Sequence, residues 1–432
     1  MLSFILYIVF TISYFLHLPA RFPWLGEVRF DFIMMGATLL AVVFEGRGLL
    51  MARERTMKLF LLLIAYVIVT IPLVEWPGSV VRHGLEEYSK TALFFFFTVS
   101  IIDNERKLKV FMLVFIACQL IRVAEPAYLH VTEGYWGDVA YSHKDEDLKS
   151  LLRLSGAPND VVNPNQLAWV IVGTVPFLYY LLWRMGGAMN RLLFLAPLPL
   201  LIYALTLTGS RSGLLSLAVV ILSIVLMGRN RFKRAALLAV VLLPLAVFVT
   251  GQVSPELAER YSSLISSEAA GRDTVIGRVE SVQKTFSTFL NRPIVGHGLG
   301  TSKEVSANFM SGRAQRAHNL YVEILQEIGL MGLVIFGLFV AAAFKCLSAA
   351  KRAFAGSEAS FLPMLATAIQ VWMIMDLFYS LSCFGLSSWE WYLFGGLATV
   401  CLTLAGERAN EARSAQAAQG RAVLSVQGGK AV

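Results

Sequence analysis

The chain alternates between long apolar segments and shorter polar connections. A helix that crosses a bilayer needs about 20 mostly apolar residues, and about twelve segments approach that pattern. They are 2–18, 29–45, 58–74, 89–102, 108–124, 165–183, 189–208, 212–228, 234–251, 319–344, 361–381 and 386–404. The pattern predicts an all-α polytopic membrane protein with about 12 transmembrane helices, forming a single domain over residues 1–404.

Composition supports this interpretation. Hydrophobic residues make up 56% of the chain and charged residues 15%, whereas a soluble domain has about 25% charged residues. The four cysteines all fall in or beside apolar segments, without the spacing of metal ligands, and are expected to pack between helices. The net charge of +8 is explained better by cytoplasmic loops than by a nucleic-acid partner.

Lysine and arginine residues of the short loops predict the orientation. They concentrate near 47–58, 106–109, 184–191, 229–234 and 345–352, whereas Pro19–Glu27 and Glu75–Tyr88 carry one basic residue each. By the positive-inside rule, both termini are then cytoplasmic, and two long segments, 125–164 and 252–317, lie on the outer side. The tail 405–432 lacks apolar periodicity and is predicted to be a disordered cytoplasmic end.

The second long outer loop is predicted to contain an amphipathic helix. Its apolar residues recur at spacings of 4, 3, 4 and 3, and they are Val275, Val279, Val282, Phe286 and Phe289. We expect this helix to lie on the bundle or in the membrane interface. Asn291-Arg292-Pro293 should end it, and Gly296–Gly300 should form a flexible turn.

A few polar residues at membrane boundaries are candidates for chemistry. His318 begins a long apolar helix and could act as a general base, or it could simply cap the helix. Arg211, among small hydroxyl residues and glycines, suits an anion, although it could equally snorkel toward lipid headgroups. Arg272 and Arg278 could bind phosphate through their planar guanidinium groups, or they could belong to a solvated helix face.

Other clusters carry weaker signals. The segment His143–Asp147 could coordinate a divalent ion, but it also fits a solvated surface. Glu323 and Glu327 share one helix face and are candidates for lining a polar cavity. Asp31 and Asp376 are acidic residues at or within the membrane, and the sequence names no partner for either.

Four motifs between Asn163 and Leu333 resemble the O-antigen ligase family, within the wider group of bacterial membrane glycan ligases, polymerases and protein O-oligosaccharyltransferases. The first motif is Thr208–Gly213 around Arg211, and the second is Gly277-Arg278 followed fifteen residues later by Pro293 and a glycine turn. The third is His318–Tyr321 leading into Glu327–Leu333, and the fourth is Asn163–Ala168 at the start of a span. The first 160 residues resemble the family only in hydropathy and in their number of spans.

The resemblance implies a GT-C-like architecture with a helical periplasmic cap, in a bacterial inner membrane. It implies metal-independent, inverting transfer of a glycan from an undecaprenyl-pyrophosphate carrier to a lipid A–core acceptor, without a cofactor. Arg211 and Arg278 would bind the donor pyrophosphate and act in catalysis. His318 would orient or deprotonate the acceptor hydroxyl, with Asn319 and Tyr321 in support.

Because of one departure from the family pattern, a second arginine is also a candidate for binding the pyrophosphate. The family often has a tryptophan four residues after the arginine of the second motif, and here that position is Val282. Arg272 is therefore an alternative to Arg278 as the second pyrophosphate-binding arginine.

Three other functions remain open from the sequence. A polysaccharide polymerase or a protein O-oligosaccharyltransferase would use the same donor with a different acceptor. A lipid-carrier or solute transporter is the alternative of a different class. The chain shows no convincing internal repeat of the kind many transporters have, and its long arginine-bearing outer loop favours the transferase.

Overall fold

The computed structural model describes residues 1–46, 54–137, 152–160, 162–228, 272–310, 318–354, 360–383 and 385–428. All regular secondary structure in these ranges is helical. The helices are α1 (Leu2–Leu16), α2 (Leu18–Arg21), α3 (Pro23–Glu27), α4 (Phe30–Phe44), α5 (Arg55–Thr70), α6 (Pro77–Ser79), α7 (Leu85–Ile101), α8 (Glu105–Glu133), α9 (Pro164–Leu178), α10 (Ala188–Leu195), α11 (Leu198–Leu207), α12 (Arg211–Leu226), α13 (Arg272–Phe289), α14 (Ser302–Phe309), α15 (Leu320–Ala353), α16 (Phe361–Tyr379) and α17 (Trp389–Gly428). A 3₁₀ turn at Ile71–Leu73 extends α5, and π-helical turns at Val80–Gly84 and Tyr179–Trp183 adjoin α7 and α9.

The all-α membrane architecture is confirmed, although twelve crossings are not established. Eleven of the predicted spans coincide with a helix or a pair of helices, and the span 234–251 lies outside the described residues. Within the described part of the chain, six helical segments are both long and apolar enough to cross a membrane. They are Arg55–Leu73, Glu105–Glu133, Pro164–Trp183, Ala188–Leu207, Leu320–Ala353 and Phe361–Tyr379.

The centre of the bundle is an aromatic core built by α1, α7, α8, α9, α16 and α17. Phe94, Phe177 and Phe394 are fully buried, and the rings of Phe177 and Phe394 stack with centroids 5.7 Å apart. These large apolar side chains fix how the helices pack. Because α7 and α15 both pack on α17, the last helix ties the two halves of the chain together.

The predicted outer loops meet at one end of the bundle, which we call the His318 end. The loop after α1 is joined to the end of α8 by a bidentate ion pair between Arg21 and Glu125, with distances of 2.7 and 2.6 Å. The loop after α5 is joined to the glycine turn by the Glu75–His297 contact of 2.8 Å. Similarly, the Leu320 amide donates to the Ser380 carbonyl at 3.0 Å. The loops that the sequence places on one side therefore do share one end.

The last helix, α17, continues to Gly428 and so covers most of the tail 405–432. Alanine, glutamine, arginine and glutamate, which fill this tail, are good helix formers even without an apolar stripe. That the tail is disordered and cytoplasmic stays a prediction.

The amphipathic helix of the outer loop exists as α13, but only Phe289 of its predicted apolar stripe is buried among the described residues. Val279 and Phe286 are exposed, whereas Thr285 and Thr288 are buried. The threonine face packs on α15, where the Gln326 amide donates to Thr288 Oγ1 at 3.0 Å. Exposed apolar side chains on this helix suit a lipid environment.

Candidate active site

His318 lies at the junction where α15 begins, and its side chain is exposed. Asn319 caps the helix, with its side-chain oxygen accepting from the amides of Tyr321 (3.0 Å) and Val322 (3.2 Å). The Asn319 side-chain amide donates to the Leu381 carbonyl at 3.0 Å. Capping by asparagine is a strong helix-start signal. The cap therefore sets the position of His318 relative to the end of α16.

Tyr321 makes a second tie between the same two helices. Its hydroxyl donates to the Leu377 carbonyl in the last turns of α16 at 2.7 Å. Asn319 and Tyr321, the two predicted supporting residues, thus bond respectively to the segment directly after α16 and to α16 itself. Their contacts fix the backbone next to His318.

The two glutamates of α15 each hold a different loop. Glu323 Oε2 accepts from the backbone amides of Gly385 (2.7 Å) and Leu386 (3.2 Å). Glu327 accepts from the Gly300 amide and from the Ser302 hydroxyl, each at 2.7 Å. Buried carboxylates are costly unless they are paired with donors, and here the donors come from the loops on either side of α15. Neither residue lines the polar cavity described below, contrary to expectation.

The glycine turn after α13 is packed against α15, so the prediction of a flexible turn is wrong. His297 is fully buried, its amide donates to the Gln326 carbonyl at 2.8 Å, and its ring contacts Glu75 and the Thr288 carbonyl. Gly329 has a φ of +69° and interrupts the helical geometry of α15. A Cβ there would lie 2.2 Å from the Ile294 carbonyl oxygen. The close packing of the turn before Gly296 on α15 therefore depends on glycine at position 329.

Arg211 is the first residue of α12, and its side chain is half-buried. Gly209 makes the turn before it with a φ of +56°, and Ser210 caps the helix by accepting from the Gly213 amide at 3.2 Å. A Cβ on Gly213 would lie 2.6 Å from the Cβ of Ala168 in α9. Each small residue of the motif thus has a structural role, and together they hold Arg211 at a helix N-terminus, a position that favours anions.

A second arginine lies beside this segment and was missed from the sequence. Arg153 donates to the Thr208 carbonyl at 2.7 Å and to Asn165 Oδ1 at 2.8 Å, and Ser210 Oγ donates to the same Asn165 oxygen at 3.0 Å. Asn163 caps α9 with a capping box. The capping motif at Asn163 was visible in the sequence, but the contact between Arg153 and this motif arises only in the folded chain.

Arg272 and Arg278 lie on α13, but their side chains lie outside the described residues. The structure places their helix, whose C-terminal end is fixed on α15 through Thr288 and Gln326.

A polar cavity of about 380 Å³ opens at the His318 end. Its wall includes Ser380, which accepts from the Leu320 amide, and Gly385, which donates to Glu323, together with Tyr379 and Cys383. Further lining residues come from the end of α1 and from α7, α8, α9, α16 and α17, and they include His17, Glu87, Lys90, Arg122, Gln166, Trp169, Asp376, Trp389 and Glu390. Asp376, one of the two membrane acids noted in the sequence, accepts from the Trp169 indole at 2.7 Å.

A buried ion-pair cluster forms one side of the cavity. Arg122 donates to both carboxylate oxygens of Asp160, at 3.0 and 3.1 Å, and His17 Nε2 lies 3.3 Å from the same carboxylate. Burial raises the pKa of Asp160, but hydrogen bonds and charge from His17 and Arg122 outweigh it and lower the pKa to about 2. His17, Arg122 and Asp160 lie far apart in the sequence, so no local pattern predicted the cluster.

The remaining candidates from the sequence are the possible metal site at His143–Asp147 and the acidic residue Asp31. No group of three or more histidine, cysteine, aspartate or glutamate side chains in the described ranges is arranged to hold a metal ion. The His143–Asp147 segment lies outside those ranges. Asp31 accepts from the Ser13 hydroxyl at 2.5 Å.

The fold and the site define a multi-pass helical membrane protein with a polar site at one end of its bundle. Residues 196–337 match the model of the family described as O-antigen ligase. The predicted resemblance to the O-antigen ligase family is therefore confirmed over this segment, which is about a third of the chain and contains Arg211, Arg278 and His318. No curated protein matches the chain.

Proposed function

We propose that the chain is a ligase that moves a glycan from an undecaprenyl-pyrophosphate carrier to a lipid A–core hydroxyl at the periplasmic face of a bacterial inner membrane. The family match supports membrane glycosyl transfer of the ligase or polymerase type. The donor, the acceptor and the membrane side belong to the proposal. The GT-C-like architecture is likewise part of the proposal.

In the proposed reaction, the acceptor oxygen attacks the anomeric carbon of the lipid-linked sugar and inverts it. The carbon–oxygen bond to the pyrophosphate breaks, and the polyprenyl pyrophosphate leaves with the bonding electron pair. His318 takes the proton of the attacking hydroxyl. Arg211 and Arg278, with Arg272 as the alternative to Arg278, stabilise the charge that develops on the leaving pyrophosphate.

Two fixed cations can replace a divalent metal ion in this scheme, because guanidinium groups hold their charge at any working pH and donate paired hydrogen bonds to phosphate oxygens. We therefore propose a metal-independent reaction without a cofactor. Arg153 adds positive charge next to Arg211 through its bonds to Thr208 and Asn165.

The observation that carries the proposal is the position of His318. It lies within the matched segment and is exposed at the start of α15. Two residues further on, the Leu320 amide donates to the carbonyl of Ser380, which lines the polar cavity. An imidazole in such a place can meet a hydroxyl that arrives from water while the donor lipid stays in the membrane.

Replacing His318 by alanine tests the assignment. We expect His318→Ala to lower the rate of glycan transfer by about two to four orders of magnitude, the usual contribution of a general base, while binding of the lipid-linked donor persists. The measurement is the mass of glycan-bearing products formed by purified protein from lipid-linked oligosaccharide and lipid A–core.

His83→Ala is the matched control, since His83 is an exposed histidine at the same end of the bundle and should leave transfer unchanged. Transfer at the wild-type rate by His318→Ala would rule out the base. Products that are longer lipid-linked chains, or a glycosylated protein, would move the function to a polymerase or a protein O-oligosaccharyltransferase. An untouched donor with folded protein would favour transport.

A further inference from the structure

The polar cavity at the His318 end has no role in the chemistry proposed so far. Its volume of about 380 Å³ lies in the range of small-molecule pockets, about 300–1,000 Å³. Most of its wall comes from α1, α7, α8, α9, α16 and α17, outside the segment 196–337 that matches the family. Its contents must therefore be inferred from its own side chains.

One carboxylate oxygen in this cavity lacks a donor. Glu390 Oε2 is buried and has no hydrogen-bond partner among the described residues. Asp376, in the same cavity, accepts from the Trp169 indole, Glu323 accepts from two backbone amides, and Glu327 accepts three hydrogen bonds. A buried carboxylate oxygen without a donor is costly. The exception at Glu390 indicates a ligand that brings its own hydrogen-bond donor.

The charged groups around the cavity give an anionic ligand little attraction. Arg122 is already paired with Asp160 through two hydrogen bonds, and Lys90 is paired with Glu86 at 3.2 Å. The cationic groups are thus largely neutralised, which leaves little in the wall to attract a pyrophosphate.

The aromatic walls narrow the ligand class further. Trp169 and Trp389 lie in the cavity wall with ring centroids 5.8 Å apart at 71°, and Tyr14 and Tyr379 line it as well. Aromatic faces attract the weakly positive C–H groups of an apolar surface. A sugar ring combines such a C–H face with hydroxyl donors at its edge, so it satisfies both the tryptophans and Glu390.

The cavity is also mechanically joined to the site around His318. Asn319 bonds to Leu381, and Glu323 fixes Gly385 and Leu386, just before the residues that lead into Glu390. A ring bound against Glu390 would therefore be held by the same loop that Glu323 positions.

We infer that this cavity is a saccharide pocket in which Glu390 accepts a hydrogen bond from a sugar hydroxyl and the tryptophans face the ring. The inference rests on the proposed function for the presence of a glycan. The sugar can come from the acceptor or from the donor, and the chemistry of recognition is the same for both.

The test measures binding apart from transfer. The probes are the free oligosaccharides released by mild acid from lipid A–core and from the lipid-linked donor, titrated separately into full-length protein in detergent. Binding is followed by calorimetry and by tryptophan emission, since Trp169, Trp389 and Trp391 line the cavity. The variants are Glu390→Gln, which keeps the shape, and Ser387→Phe, which fills the pocket from a half-buried lining position.

We expect each variant to weaken binding of one oligosaccharide at least tenfold, with thermal unfolding close to that of the wild type. Glu133→Gln, an exposed carboxylate at the same end, should bind like the wild type. The probe that is weakened identifies the source as acceptor or donor, and if Glu390→Gln does not fold, Ser387→Phe decides.

Two results would overturn the pocket: wild-type protein that transfers glycan but binds neither free oligosaccharide, or binding that both variants leave unchanged. If the protein binds a saccharide but transfers no glycan, the saccharide pocket is supported and the proposed ligase function is contradicted.

Discussion

Buried carboxylates order the loops of the His318 end one residue at a time. Glu323 holds the segment at Gly385, Glu327 holds the glycine turn at Gly300, and Asp160 joins α8 to the end of α1 through Arg122 and His17. Each of these carboxylates accepts hydrogen bonds, because an unpaired buried carboxylate would cost several kcal/mol. Removing one partner should therefore loosen one loop rather than the whole bundle.

The ion pairs of Asp160 predict a pH dependence with a defined sign. The folded pKa, about 2, lies below the ordinary value of 3.8, so the carboxylate stabilises the fold fully above about pH 4 and loses that contribution as the pH falls through 2. We expect Asp160→Asn to unfold at a lower temperature than the wild type at neutral pH. Thermal unfolding in detergent should show this gap shrinking below about pH 4 and closing near pH 2. A gap that is the same at every pH would mean that ionisation of Asp160 does not contribute.

Among the helices, α15 has the most demanding geometry, because it carries the His318 cap, both glutamates and the break at Gly329. The helices themselves could be predicted from long apolar runs, and the caps at Asn163, Ser210 and Asn319 coincide with motif residues. The fixed glycine turn could not be predicted. Its partners are Gln326 and Glu327, about 27 residues further along the chain, and local composition only indicates flexibility.

The break in α15 predicts a position where alanine is not tolerated. Gly329→Ala would place a Cβ 2.2 Å from the Ile294 carbonyl oxygen at a φ of +69°, so we expect a loss of at least about 2 kcal/mol of stability. Gly337→Ala, on the same helix with nothing within 4 Å of the added Cβ, is the matched control and should match or exceed the wild type, since alanine is the better helix former. Thermal unfolding of the two variants side by side is the measurement. Equal midpoints would show that the turn at Gly296 does not hold α15 in this shape.

At the scale of the whole molecule, the cavity shows why part of the site was out of reach from the sequence. Arg211 and His318 were found because they lie in compact motifs. Among the cavity side chains, Arg122 lies more than 250 residues before Asp376 and Glu390 in the sequence, and none of the three belongs to a motif. Only the packing of α8, α16 and α17 brings them together, and packing of this kind leaves no spacing pattern.

The orientation of the bundle is the last prediction, and one helix is enough to test it. Arg106 and Glu133 are exposed residues near the two ends of α8, which at about 1.5 Å per residue is long enough to cross the membrane. In a background where the four cysteines are replaced by serine, Glu133→Cys should react with a membrane-impermeant maleimide on intact spheroplasts, whereas Arg106→Cys should react only after the cells are opened. That result would put the His318 end on the periplasmic side, where an acceptor at the outer surface of the membrane can reach it. The reverse pattern of labelling would place His318, Arg211 and the cavity in the cytoplasm, and a periplasmic ligase would then be impossible however well the individual residues fit.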